Sequence, residues 1–316
     1  MRTLSLIGAL MVTALPAVAQ AAADRVWVSG HGVDQAGCGA PTAPCRSLQY
    51  AHDHAVNAGG EIDILDPAGY GAVEITKSVS IVNDGVGTAG VQTTLGTAIN
   101  IHAGASDAIY LRGLNIDGVN FAGANGVVLI SGGSLTVVNC VVRHFSQNGI
   151  YLLPSRGPVQ VSISNTLSSE NEQAGLQFAP LTGSTAAVNG EVDHLTANGD
   201  LDGIQIVSSS DTGAVNFALT DIIASNNGSA GVLLESTAAT LKVTIDSADL
   251  NLNAADGLAV LGDPTAYISR SVADHNGQYG IFNDAGSGHV FSTGSNLVES
   301  NALGNVQGGT TTEGLQ

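Results

Sequence analysis

Apolar and polar residues alternate after a glycine that recurs along most of the chain. In the unit that begins at Gly203, Ile204 and Ile206 flank the polar Gln205. Such units begin, at intervals of 23, 26, 28, 28, 26 and 23 residues, at Gly126, Gly149, Gly175, Gly203, Gly231, Gly257 and Gly280. A period this regular predicts a solenoid, in which each coil buries its apolar side by stacking on its neighbours.

The alternation has a period of two residues, which predicts strands rather than helices. A second run in the same coils shows it too, because Val159, Val161 and Ile163 alternate with Gln160 and Ser162. Leucine-rich repeats have a similar length, but these coils lack their leucines at fixed offsets and their central asparagine. Turns rich in Ser, Asn, Gly and Asp leave room for about three strands per coil, so the pattern predicts a parallel β-helix.

The chain before the regular repeat predicts a cap. Residues 47–57 are compatible with a helix that has Ser47 as its N-cap and Gly59-Gly60 as its stop, and this helix would cover the open end of the solenoid. Strands of less regular coils are expected at 61–65, 73–75, 79–82 and 99–101. The predicted boundaries are a cap at 20–59, a β-helix at 60–303 and a flexible tail at 304–316 that has lost the pattern.

A resemblance to a known family adds a fold class. Val26-Trp27-Val28-Ser29 and the segments 43–48, 58–62 and 69–71 resemble the N-terminal cap and first coil of bacterial β-helix-repeat proteins of the pectin-lyase-like superfamily. Most later coils, with an asparagine in the turn before the glycine, look like the same superfamily. The resemblance implies an all-β, right-handed, single-stranded parallel β-helix with a short N-terminal capping helix. It implies no single activity, because the superfamily includes lyases, hydrolases, epimerases and adhesins.

The first residues predict export. Met1-Arg2-Thr3 carries a positive charge and leads into an apolar run, and Ala17 and Ala19 fit the small residues of a cleavage site. Residues 1–19 are therefore interpreted as the signal peptide of a periplasmic or extracellular protein. The apolar run is too short to span a bilayer comfortably, and no later segment is long enough, so we expect no membrane insertion.

Charge and cysteines narrow the partners and the compartment. Nine Lys+Arg against 27 Asp+Glu give a net charge of −18, which excludes binding of nucleic acid or anionic membranes by general electrostatics. Cys38 and Cys45 bracket a short turn-forming segment and are expected to form a disulfide in an oxidising compartment. Cys140 lies in a strand pattern and is interpreted as a buried thiol.

A column of polar residues before the final turn of the coils is the candidate catalytic site. It comprises Asn139, Asn165, Asp193, Asp221, Asp249 and Ser271, most with the inward parity of the strand before them. Carboxylates about 4.8 Å apart on neighbouring rungs repel unless a cation, a proton or backbone donors intervene. That spacing is near the carboxyl separation of retaining glycosidases. His194 and Arg143 would assist in acid and base chemistry. The alternative is that these acids cap turns by accepting bonds from backbone amides.

Two further sets of residues are candidates for binding. Tyr151, Gln177 and Gln205 lie on consecutive coils with outward parity, where a ring and two amides would face a sugar chain laid along the solenoid. A calcium site is left open, with Asp200 and Asp202 on a glycine-flanked turn as one arrangement of oxygen ligands. No phosphate-binding loop, nucleotide fingerprint or HExxH motif indicates another cofactor.

Two classes of function remain. The first is an exported protein that associates with polysaccharide at the cell envelope or outside the cell, or a structural or adhesive surface protein without catalysis. The second is a glycoside hydrolase or polysaccharide lyase that uses the aspartate column, and the sequence leaves catalysis undecided. A dedicated uronate lyase or polygalacturonase is disfavoured, because the motifs of those enzymes are mostly missing and the one Gly-His-Gly, Gly30-His31-Gly32, lies in the cap.

Overall fold

The structure, a computed structural model, describes residues 22–181, 183–208, 213–237, 240–284 and 289–313. The predicted signal peptide, residues 1–19, lies outside this part of the chain. Strands make up most of the described chain, with one short helical segment near its N-terminal end. Among the described helices, none is long and apolar enough to cross a membrane.

The elements follow one another in short segments. The helical segment consists of α1 (Leu48–Tyr50) and a π-helical turn, Ala51–Ala55. The strands up to residue 152 are β1 (Ala23–Val28), β2 (Val56–Ile64), β3 (Ala68–Gly69), β4 (Val73–Ile75), β5 (Val79–Val82), β6 (Ala89–Gln92), β7 (Thr97–His102), β8 (Ala108–Arg112), β9 (Leu114–Asp117), β10 (Asn125–Ser131), β11 (Ser134–Val138), β12 (Val141–Arg143) and β13 (Ile150–Leu152). The later strands are β14 (Val159–Ser169), β15 (Ala174–Phe178), β16 (Val188–Thr196), β17 (Asp202–Ser208), β18 (Val215–Thr220), β19 (Val232–Ser236), β20 (Leu241–Asp246), β21 (Leu258–Gly262), β22 (Thr265–Ser269), β23 (Val272–Asp274), β24 (Tyr279–Asn283), β25 (His289–Thr293), β26 (Leu297–Glu299), β27 (Gly304–Gln307) and β28 (Thr311–Glu313).

Each strand pairs in parallel with the equivalent strand of the next coil, and the coils form three faces. The first face has the order β1-β2-β5-β8-β11-β14-β16-β18-β20-β22-β25-β28, and the third has the order β4-β7-β10-β13-β15-β17-β19-β21-β24-β27. The second face runs through β3, β6, β9, β12 and the end of β14, then through bridges at Ile223 and Asp249 to β23 and β26. This arrangement confirms the predicted parallel β-helix with about three strands per coil.

The cap forms as predicted at its start and differs at its end. The side chain of Ser47 accepts a hydrogen bond from the Tyr50 backbone N at 3.2 Å, which confirms it as the N-cap. The helical segment ends at Ala55, so the prediction that Gly59-Gly60 stops it is wrong. These glycines lie within β2, where the pairing with β1 is irregular and Gly59 has a φ of +80°. These glycines form a bulge in the strand and do not end the helix.

The cysteines behave as predicted. Cys38 and Cys45 form a disulfide, with their Cα atoms 4.9 Å apart. Cys140 is a free cysteine with 1% of its surface exposed. Burial raises the pKa of its thiol to about 11, so the thiol stays protonated at neutral pH.

One rung of the core depends on a glycine. Gly190 stands at an inward position of β16, between Val161 and Phe217 of the neighbouring coils. The Phe217 ring fills the space that a side chain would occupy, and a Cβ at Gly190 would lie 2.1 Å from its Cε1. The same ring packs on Phe178 of the third face, with 5.7 Å between ring centroids. This glycine is therefore required by packing.

The strand pairing continues further than the sequence predicted. β27 pairs with β24, and β28 pairs with β25, so the expectation of a patternless tail from Gly304 is wrong as far as Glu313. Val306 pairs with Ile281 and so continues the column of inward residues, and at this end of the described chain it is 42% exposed. The sequence signal of this coil is weak, because Gly304 is followed by the polar Asn305 and only two residues later by the aliphatic Val306.

Candidate functional site

The corner between the first and second faces presents one side chain per coil to solvent. The corner residues have φ values between +48° and +57° and are Asn139, Asn165, His194, Asp221, Ser247 and Arg270. This left-handed conformation interrupts the alternation of the strand. The residue after the corner is buried, as Leu195 and Ile222 show. His194 and Asp221 therefore lie exposed on consecutive coils.

Asp193, His194 and Asp221 form a compact group at this corner, the Asp-His cluster. Asp193 Oδ1 lies 2.9 Å from His194 Nδ1. One atom of each of the three residues that could bind a metal ion, a carboxylate oxygen or a ring nitrogen, lies within 4.8 Å of the other two. The hydrogen bond from His194 to Asp193 raises the pKa of the imidazole, and the charges of Asp193 and Asp221 add to this effect. Among the described residues, none donates a hydrogen bond to the Asp221 carboxylate. A proton on His194, or a cation, would balance the two acids.

The next acid along this corner has a different partner. Asp246 lies one rung beyond Thr220, pairs with Arg270 and accepts a hydrogen bond from Ser269 Oγ at 2.6 Å. Its charge is neutralised within the protein. The Asp-His cluster has only an exposed histidine, so it is the part of this corner that is best suited to bind an external group.

The predicted stack of three carboxylates is wrong. Asp193 faces Thr220 across the ladder, Asp221 occupies the corner itself, and Asp249 bridges Ile223 on the second face. The acids also face outward: the Asp193 side chain is 39% exposed. Nine residues separate His194 from the next repeat glycine, against ten for Asp221. A shift of one residue moves a side chain to the other side of a strand, so alignment on the glycines misplaced these acids.

Arg143 does not join the Asp-His cluster. It ends β12 near the corner that follows the second face, where its Nε lies 3.4 Å from Asp117 Oδ2. His144, at that corner, lies 3.1 Å from both Asp117 and Glu170. Arg143 and His144 thus belong to a separate ion-pair network, and the prediction that Arg143 assists the acids has no geometric support.

A shallow groove lies on the outer surface of the first face, next to the Asp-His cluster. This first-face groove is lined by polar side chains of β11, β14 and β16: Ser134, Thr136, Gln160, Ser162, Asn189 and Glu191. Tyr110 lies one rung beyond Thr136, and Asp193 follows Glu191 by two residues on the same strand. Within the described ranges, the side chains of Gln160 and Glu191 have no hydrogen-bond partner. The sequence analysis noted the outward parity of Gln160 and Ser162 but did not predict the groove.

The predicted outward strip lies on the third face. The register confirms that Tyr151, Gln177 and Gln205 are neighbours on consecutive coils. Gln177 Nε2 donates a hydrogen bond to Gln205 Oε1, and burial raises the pKa of Tyr151. The strip and the Asp-His cluster lie in different sheets, so they do not form one site. The sugar-binding role of the strip stays a prediction.

Asp200 and Asp202 do not form the predicted calcium pair. They are only 4% and 7% exposed. Asp200 Oδ1 accepts a hydrogen bond from the Asn171 backbone N at 2.7 Å, and Asp202 Oδ1 accepts one from the Ala230 backbone N at 2.9 Å. Both side chains are therefore turned into the protein toward backbone donors rather than toward a shared ion.

Comparison with known proteins places the fold. The family described as "Right handed beta helix region" matches residues 97–255, half of the chain. No curated protein matches the sequence. Among solved structures, pectate lyase Pel9A is similar with a TM-score of 0.56 and 18% identity, over 93% of this chain and 75% of that chain. The A-modules of the Azotobacter vinelandii mannuronan C-5 epimerases AlgE6 and AlgE4 have TM-scores of 0.47 and 0.48, with 15% and 12% identity, over 82% of this chain and 92% and 91% of theirs. With its uninterrupted parallel coils and its match to this family, the chain belongs to the right-handed β-helix family, as its resemblance to the pectin-lyase-like superfamily implied.

Proposed function

We propose that the protein is exported and associates with a polysaccharide that lies along the first-face groove. The observation that carries this proposal is a run of outward polar side chains on successive rungs, among which Gln160 and Glu191 have no partner in the described chain. Rungs repeat about every 4.8 Å, so an extended ligand that crosses the strands would contact a polar side chain on each successive rung. The hydroxyl groups of a sugar chain would satisfy these donors and acceptors, and the Tyr110 ring offers a stacking surface at one end.

The charge of the protein favours an uncharged polysaccharide. The chain carries a net charge of −18, and the groove ends beside Glu191 and Asp193. An acidic polysaccharide would be repelled unless a divalent cation lay between its carboxylates and the Asp-His cluster. Calcium would use the oxygens of Asp193 and Asp221 there, with water or the ligand completing its six to eight ligands. The imidazole of His194 suits zinc, copper, iron or nickel better.

The disulfide and the fold are compatible with this proposal. Disulfides such as Cys38–Cys45 persist in oxidising compartments, which fits the predicted export to the periplasm or the medium. Pel9A shares the fold and is named as a pectate lyase. The proposal for this chain rests on its own groove, because one fold serves many functions.

The test is a binding screen of the mature protein against neutral and acidic polysaccharides, with and without calcium. We expect retention of at least one neutral polysaccharide without calcium. A Gln160→Ala/Glu191→Gln variant should bind it about tenfold more weakly, since about 1.4 kcal/mol of ligand hydrogen bonding is lost. Thr244→Ala, an exposed change on β20 of the same face and outside the lining of the groove, is the control. Absence of binding to every polysaccharide would contradict the proposal.

Catalysis by the Asp-His cluster is the second candidate function. The carboxylate oxygens of Asp193 and Asp221 and the ring nitrogen of His194 lie within 4.8 Å of one another. This is near the separation of about 5 to 5.5 Å between the two carboxyl groups of retaining glycosidases. The raised pKa of His194 would let it hold a proton to donate to a leaving sugar. The same screen should then release reducing or unsaturated ends, and Asp193→Asn or Asp221→Asn should abolish their release. Binding without products in the wild type would leave recognition alone.

A further inference from the structure

An asparagine ladder runs through the turn between the second and third faces. Its members on consecutive coils are Asn171, Asp200, Asn227, Asn253, Asn276 and Asn301. Asn253 shows the usual pattern. Its Oδ1 accepts from the backbone N and the Nδ2 of Asn227, both at 3.1 Å. Its Nδ2 donates to Asn276 Oδ1 and to the carbonyl of Ala224, both at 3.1 Å.

Asp200 occupies a rung of this ladder with a carboxyl group in place of an amide. Its Oδ1 behaves as an asparagine Oδ1 does, because it accepts from the backbone N and the Nδ2 of Asn171 at 2.7 and 3.0 Å. Its backbone N donates to Asn227 Oδ1 at 3.1 Å. Asp200 therefore makes the hydrogen bonds of a ladder asparagine and does not face solvent.

The second oxygen, Oδ2, lies where the other rungs have an Nδ2. A Cβ built on Gly175 would lie 2.8 Å from Asp200 Oδ2, and a Cβ built on Gly203 would lie 2.8 Å from Asn227 Nδ2. At Asn227, Asn253 and Asn276 this nitrogen donates to the next Oδ1 and to a backbone carbonyl. For Asp200 the equivalent acceptors are Asn227 Oδ1 and the carbonyl of Ser168, which pairs in register with that coil.

A carboxylate cannot fill that role. It has no hydrogen to donate, so an ionised Oδ2 would meet two acceptors in a buried turn. Oδ2 is buried and has no hydrogen-bond partner among the described residues. An unpaired buried charge is costly, whereas a protonated carboxyl would supply the missing donor.

We propose that Asp200 is a neutral carboxylic acid in the folded protein, and that loss of its proton at alkaline pH weakens the ladder and destabilises the solenoid. The groups around Asp200 also favour the protonated form of its carboxyl group. Burial is the largest effect on this carboxyl and raises its pKa to about 8, against the hydrogen bonds from Asn171. The charged group that acts on it is Glu170 on the preceding coil, which also disfavours ionisation. The rung on the other side is the uncharged Asn227.

The sign of the effect follows from proton binding. The folded-state pKa lies above the ordinary value of about 3.8 that applies when the chain is unfolded. Between the two values the folded protein binds more protons than the unfolded protein, so this residue lowers the free energy of unfolding as pH rises. Its contribution is greatest below pH 4 and is lost by about pH 8.

The test compares the wild type with Asp200→Asn in chemical unfolding at pH 5 to 9. The variant should be more stable than the wild type at pH 8, and the ratio of the two unfolding constants should change by about tenfold per pH unit up to about pH 8. Asn253→Asp, the converse change in the same ladder, should acquire the same pH dependence. A ratio that does not vary with pH would show that Asp200 is already ionised and would overturn the proposal.

A second measurement does not depend on unfolding. The infrared carbonyl band of a protonated carboxylic acid should be present in the wild type at pH 6.5 and should disappear in Asp200→Asn. It should also disappear from the wild type on titration through about pH 8. A band that is absent at pH 6.5 would contradict the proposal even if the variant failed to fold.

Discussion

Asn253→Ala is expected to lower the free energy of unfolding by about 4 kcal/mol. The truncation removes the acceptor for two Asn227 donors and the donor to the Ala224 carbonyl. Asn253 is 1% exposed, so water does not replace these partners. Each buried group left unpaired costs about 1 to 3 kcal/mol. Urea unfolding monitored by circular dichroism would measure the loss.

An exposed asparagine provides the matched control. Asn216 also bonds to an asparagine one coil away, since its Nδ2 donates to Asn189 Oδ1 at 3.1 Å, but this pair is exposed. Asn216→Ala should cost less than about 0.5 kcal/mol, because solvent takes over the bond. Equal losses in the two variants would show that the buried ladder does not stabilise the coils in the way described.

Gly190→Ala is expected to cost about 3 kcal/mol, at the upper end of overpacking effects. The added methyl would lie 2.1 and 2.2 Å from two carbons of the Phe217 ring. That ring is held between the first face and Phe178, so it has little room to move. The midpoint of thermal or urea unfolding would report the loss.

A double variant separates this clash from a backbone effect. Phe217→Leu removes Cε1, the ring carbon nearest to the new methyl, together with Cζ, so Gly190→Ala should cost less in that background. We expect a coupling of about 2 kcal/mol, within the range for residues in contact. Strictly additive losses would mean that Gly190 is needed for some reason other than the Phe217 ring.

The fold was predictable from sequence because its signal is repeated. The glycine period and the alternation at positions such as Ile204 and Ile206 recur in seven successive coils, and each recurrence supports the others. The register of Tyr151, Gln177 and Gln205 followed correctly, because a short strand contains or directly follows each repeat glycine. The last coil, in contrast, carries one inward aliphatic residue in β27, Val306, and its signal was too weak.

The candidate site was less predictable because it lies at a corner. A residue with a positive φ, such as His194 or Asp221, reverses the relation between sequence parity and side-chain direction. The parity argument therefore placed the Asp221 side chain inside the solenoid, whereas the structure exposes it. The ladder was predicted only in part. An asparagine in the turn before the glycine was noted for most of the later coils, but the burial of Asp200 among these asparagines depends on the stacking of coils, which one sequence does not display.

The most direct test of the central claim compares the two candidate surfaces in one titration. The affinity for a neutral polysaccharide that binds the wild type would be measured for Gln160→Ala/Glu191→Gln on the first face and for Gln177→Ala/Gln205→Ala on the third. The account predicts a loss of about tenfold for the first variant and little change for the second, because the third-face amides already bond to each other. A loss confined to the third-face variant would contradict the assignment of the groove.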